Sequence, residues 1–87
     1  MDIETTIKTI LVNDLFINVP KSEIGLDDGL RDKLGLDSLG FSELRSQCEY
    51  TFEVKIEDAD FNPKHFSTIR ALTSLLNNLL ASKQGAI

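Results

Sequence analysis

Apolar residues recur at helical spacing in three separate stretches of this chain, and that pattern restricts its fold more than any other feature. Ile3, Ile7, Ile10, Leu11 and Leu15 form the first stripe, which predicts a helix from about Asp2 to Phe16. Pro20 ends regular structure after it. Phe41, Leu44, Cys48 and Phe52 form the second stripe, on a helix expected over Ser38 to Phe52 with that stripe facing the core. Asn62-Pro63 reads as an N-cap with proline at the first helical position, opening a short helix through Phe66. Ser67 is the expected N-cap of the last helix, whose stripe is Ile69, Leu72, Leu76, Leu79 and Leu80. Arg70 stands where a capping box needs Glu or Gln. The expected architecture is all-α: a small four-helix bundle of three longer helices and a short helix III. Asn18 to Leu36 is left as a long loop between helices I and II, carrying Ile24, Leu26, Leu30 and Leu34. A loop of this length in a small domain is usually functional, and its spaced aliphatics predict that it is pinned across the core.

Eighty-seven residues correspond to one domain, with its core over about residues 3–80 and a frayed tail over 81–87. A hydrophobic content of 41% argues against disorder. The single cysteine, Cys48, excludes an intramolecular disulfide and a Cys-rich zinc site. One histidine, His65, argues against a catalytic triad or a His-based metal site, so no metal is expected. The net charge of −5 speaks against nucleic acid. It suits partners with basic docking patches, although mild acidity also serves solubility. No apolar run is long enough to cross a bilayer, and Met1-Asp2-Ile3-Glu4 lacks the basic start and apolar stretch of a signal peptide. The expectation is a cytoplasmic monomer with no membrane partner.

Gly35-Leu36-Asp37-Ser38-Leu39 marks the change from loop to helix. The residues before it, Asp27 to Leu36, are rich in Gly and Asp, and the helical pattern begins at Leu39. Ser38 is therefore expected to be exposed at the positive end of a helix, where unpartnered N–H groups favour a phosphate. The sequence offers one good place for a phosphodiester, and it is Ser38.

The frame Leu34-Gly35-Leu36-Asp37-Ser38-Leu39 resembles, without a gap, the Leu-Gly-x-Asp-Ser-Leu attachment signature of acyl and peptidyl carrier proteins. Phe52-Glu53-Val54-Lys55-Ile56 is similar to that family's segment after helix II, and the resemblance extends over roughly Ile3 to Leu80. It implies a carrier that catalyses nothing. A phosphopantetheinyl transferase, with Mg²⁺ and coenzyme A, attaches 4′-phosphopantetheine to Ser38. The thiol of that arm holds an acyl or aminoacyl group as a thioester. The implied partners are the transferase, an acyl- or aminoacyl-loading enzyme, and downstream condensing, modifying or releasing enzymes. Activation of the serine hydroxyl falls to the transferase, consistent with the lack of a base paired with Ser38 in the sequence.

Neighbouring residues each carry two readings. Asp37 is a helix cap worth about 1 kcal/mol, and the resemblance also gives it a role in engaging the transferase and its metal. Gly35 permits an unusual backbone angle or a close approach in the turn. Leu39 lies about 200° around the helix from Phe41, on the polar face; it is either a partner contact or a leucine tucked against the preceding loop. Ser42, Glu43, Ser46 and Glu49, with Glu53, form the rest of that face and are the expected partner-binding residues. Gly40 costs roughly 1 kcal/mol inside a helix, which suggests close approach by a partner. Cys48 lies on the core stripe and is read as a small apolar residue. His65 is read as a surface or boundary residue. Asp58-x-Asp60-x-Asn62 starts like a calcium loop, but Pro63 and Ile69 stand where that loop needs Gly and Glu.

Helix II departs from the dense acidic run usual in carriers of bacterial fatty acid synthesis, since Gly40, Phe41, Ser42 and Arg45 dilute it. A discrete carrier of polyketide or nonribosomal peptide type fits better, with a D-alanyl or fatty-acid carrier as a further possibility. The alternative from another class is a non-carrying helical adaptor that binds partners through helix II.

Overall fold

The computed structural model describes the backbone of residues 2–85 and the side chains of residues 2–83. Helix α1 spans Ile3–Thr9. The expected helix to Phe16 does not stay α-helical: Ile10–Asp14 widen into a π-helical turn. There the Leu15 N–H donates to the Ile10 carbonyl at 3.1 Å and the Ile17 N–H to the Leu11 carbonyl at 3.2 Å. Ile10 and Leu11 are both buried. The wide turn ends at Asp14, and just beyond it Phe16 has a φ of 56°, left-handed and unfavourable for a residue with a Cβ.

Helix α2 spans Ser38–Phe52, as the periodicity predicts. It stops at Glu53, left-handed with φ 54°, whose N–H donates to the Glu49 carbonyl. Helix α3 spans Pro63–Phe66, and the Asn62 Oδ1 accepts from the His65 N–H at 3.1 Å as an N-cap should. Helix α4 spans Ile69–Gly85. Its cap is Thr68 and not Ser67: the Thr68 Oγ1 accepts from the Ala71 N–H at 3.1 Å. The Ser67 carbonyl instead accepts from the Leu30 N–H of the long loop at 2.9 Å, which places Ser67 before the helix proper. Residues 81–85 continue α4 where a frayed tail was expected; residues 86–87 lie outside the described residues. Ala81, Lys83 and Gln84 are good helix formers, and the Lys83 Nζ donates to the Glu53 carbonyl at 2.8 Å, tying this end to α2.

Helix α4 packs on α1 and on α3, and α2 meets the π turn. Ile7, Leu11, Leu44, Cys48, Ile56, Ile69, Leu72 and Leu76 are fully buried between them. Each such leucine or isoleucine contributes about 1.5–3 kcal/mol relative to exposure. Leu75 joins this core unpredicted, whereas Leu79 and Leu80 pack only partly against it. The long loop is pinned as expected through Ile24, Leu30 and Leu34, which are buried, while Leu26 packs only partly against the core; Leu36 is buried as well. Its backbone meets α4 through the Arg70 N–H, which donates to the Leu26 carbonyl at 3.0 Å. The Arg70 guanidinium also donates to both Asp27 carboxylate oxygens, at 2.7 and 3.2 Å, and holds that carboxyl below its usual range. No described helix is long and apolar enough to cross a membrane.

Candidate functional site

The site is made by the way the loop delivers its chain to α2. Residues 30–34 make tight turns, with the Lys33 and Leu34 N–H groups donating to the Gly29 carbonyl at 2.9 and 3.0 Å. Gly35 then reverses direction at φ 80°, where a Cβ would be strained. Leu34 and Leu36 are buried on either side of it, so the turn is held at both shoulders. Asp37 follows in extended conformation, and its Oδ1 accepts from the Gly40 N–H at 2.8 Å. The cap expected for Asp37 is in place.

Gly40 has a local reason. A Cβ there would lie 3.3 Å from Leu36 Cγ and 3.4 Å from Asp37 Oδ1. The close neighbours are the chain's own leucine and cap.

Ser38 is the first residue of α2 and is exposed. In the first turn of any α-helix the N–H groups lack intrahelical partners. Ser38 and Leu39 point to different sides, since neighbours on a helix are about 100° apart. Ser38, Phe41 and Ser42 line a cleft of about 510 Å³ whose opposite wall is Phe61, Pro63 and Phe66. Leu39, Gly40 and Glu43 line a second cleft of about 740 Å³, bounded by Asp14, Phe16 and the turn at Gly35. Leu39 is 72% exposed and is not tucked against the loop. Phe41 is only partly buried, because the side of α2 it occupies faces the first cleft as well as the core.

The wall of that first cleft is fastened from α2. Arg45 donates to the Ile56 carbonyl and to Asp58 at 2.9 Å, and its guanidinium lies 4.9 Å from the Phe61 ring centre. Phe61 meets Phe66 edge to face at 5.0 Å. The Glu49 Oε2 accepts from the Ile56 N–H at 2.8 Å. Glu49 therefore differs from Ser42, Glu43 and Ser46, which are exposed on the same helix. Asp58 pairs with Arg45 at 2.9 Å, and Asp60 lies 3.9 Å from His65. Phe61 and Arg31 escaped the sequence reading, and Arg45 entered it only as a residue that dilutes the acidic run of helix II. An aromatic directly before Asn62-Pro63 was the available signal for Phe61.

Neither Cys48 nor His65 lines the two clefts. Cys48 is buried, and burial, with Glu49 adding to it, pushes its thiol up to about 12.

The family model described as a phosphopantetheine attachment site matches residues 7–76 of this chain. The chain belongs to the acyl carrier protein family. It is 35% identical over 75 residues to the acyl carrier protein of Phytoplasma australiense, covering 86% of this chain and 93% of that protein. The carrier is accordingly not a catalyst, and the group it takes is covalent 4′-phosphopantetheine. The residues present fit such a group: an exposed serine hydroxyl opens beside a cleft walled by three phenylalanines. Carriers of this kind work with a phosphopantetheinyl transferase and with acyl-handling enzymes.

Proposed function

We propose that Ser38 is the attachment residue and that the carrier serves a specialised pathway of polyketide or nonribosomal peptide type, as a single cytoplasmic carrier unit. The observation that carries the first part is the placement of Ser38: exposed, first in α2, and indexed by the Gly35 turn and the Asp37 cap. On this reading the Ser38 oxygen bonds to the β-phosphorus of coenzyme A. The pyrophosphate bond breaks, the adenosine bisphosphate leaves, and the serine proton passes to a base of the transferase. The attached group supplies a terminal thiol that holds acyl or aminoacyl cargo as a thioester. Asp37 both orients the serine through the cap and presents a carboxylate to the transferase.

Leu39, Ser42, Glu43 and Ser46 are the partner face we propose. With Glu49 bonded to Ile56 and Arg45 to Asp58, this face presents few free charges. That sparseness supports a specialised pathway over fatty acid synthesis. The test is intact mass after incubation with coenzyme A, Mg²⁺ and a promiscuous transferase, followed by loading with acyl and aminoacyl donors. Gain of one phosphopantetheine by the wild type and none by Ser38→Ala is expected. Gain by the variant would move the site elsewhere, and loading only by the fatty acid enzymes would overturn the pathway.

A further inference from the structure

We infer that Arg31 is the cation that holds the phosphodiester on Ser38; this rests on Ser38 being the attachment residue. The chain has three arginines. Arg45 carries Asp58 at 2.9 Å and Arg70 carries Asp27 at 2.7 Å. Among the described residues Arg31 has no carboxylate partner of this kind. Its guanidinium instead lies 5.6 Å from the Phe41 ring centre. Phe41 is three residues beyond Ser38 and so shares its side of α2. Arg31, Ser38 and Phe41 line the same cleft.

Among the described residues Arg45 and Arg70 spend their guanidinium N–H groups on hydrogen bonds, and Arg31 does not. Contact with a ring uses the cation's charge and its face. The N–H groups point outward in the guanidinium plane, in a fork that matches phosphate oxygens. An attached phosphodiester adds a negative charge beside Asp37 and near Asp32, which lines the same cleft, in a chain already at −5. A cation on the serine's side relieves that repulsion. Lys33 does not serve, because it lines the opposite cleft and lies 3.8 Å from Asp28. Arg31 thus fixes the root of the arm against Phe41, so that the arm leaves Ser38 over the aromatic cleft and away from Leu39.

The test converts wild type, Arg31→Lys and Arg31→Gln fully to the phosphopantetheinyl form, with completion read by intact mass. The side-chain N–H signal of Arg31 and the ³¹P resonance are then followed from low to molar salt. In the wild type the Arg31 signal should shift on conversion and exchange more slowly with water, and the ³¹P resonance should move as salt rises. Arg31→Gln should give a ³¹P resonance indifferent to salt, with Arg31→Lys between, since an ammonium keeps the charge and loses the fork. Amide spectra of the unmodified variants that overlay the wild type show that the fold is kept. Full mass gain with an unmoved Arg31 signal and one ³¹P resonance for all three proteins overturns the role of Arg31 and leaves Ser38 standing. Absence of mass gain in the folded wild type overturns the attachment reading, and this inference with it.

Discussion

The two ends of α2 treat their polar side chains in opposite ways. At the N-terminal end Ser38, Ser42 and Glu43 are exposed, and only Asp37 is bound back into the backbone. At the C-terminal end Arg45 and Glu49 both reach Ile56, Arg45 also reaches Asp58, and the Glu53 carbonyl receives Lys83. One end is clamped to the following segment so that the other can stand free. Changes at the free end should therefore alter what the protein carries with little effect on folding, and changes at the clamped end should do the reverse.

The largest effect expected is at Ser38. Ser38→Ala should lose all phosphopantetheine uptake by mass while its urea unfolding stays within about 0.5 kcal/mol of wild type, as for an exposed position. A larger loss of stability would break the contrast between the ends. Arg45→Ala should be destabilised by about 2–3 kcal/mol, since it gives up charge-assisted hydrogen bonds and a ring contact. It should still be modified to completion.

Between the two ends the inner face offers a probe in Cys48. Its pKa is raised from 9.0 to about 12 in the folded protein, so the unfolded chain loses its thiol proton first as pH rises. The thiol's contribution is complete below pH 9 and should fall through the window up to about 12 by about 1.4 kcal/mol per pH unit. The difference between wild type and Cys48→Ala, measured by urea unfolding across that window, isolates it. A flat difference would mean that the thiol is not shielded. The smallest effect is at Gly40. An Ala there ordinarily gains up to about 1 kcal/mol of helix stability, but its Cβ would crowd Leu36. Gly40→Ala should gain nothing, and a clear rise in melting temperature would show that the first turn is looser than described.

What could be read from the sequence follows the range of each interaction. The bounds of α2, the Asp37 cap, the Gly35 turn and the Asn62-Pro63 start depend on residues within a few positions, and they stand as read. The apolar loop residues were legible because only core burial explains leucines so spaced. The bonds of Arg45 and Glu49 to Ile56 were not legible because that partner lies 11 and 7 residues away, across a turn. The π turn after Thr9 keeps an ordinary apolar spacing, so periodicity could not distinguish it. Ser67 and Thr68 are both able to cap, and the choice was made by the loop backbone that bonds to the Ser67 carbonyl. Phe41 fitted a core stripe whose facing element, Phe61, was unknown.

The cap and the turn before α2 also set an angle. A slip of one residue in where the helix begins would turn every side chain by about 100°. The hydroxyl and the exposed leucine would then leave the clefts they now face. Gly35 and Asp37 act as an indexing pin against that rotation. On the proposed reading, a body gripping Leu39 and a tether leaving Ser38 would lie on different bearings about one axis, and the carrier could be held without its tether being trapped beneath the hand that holds it.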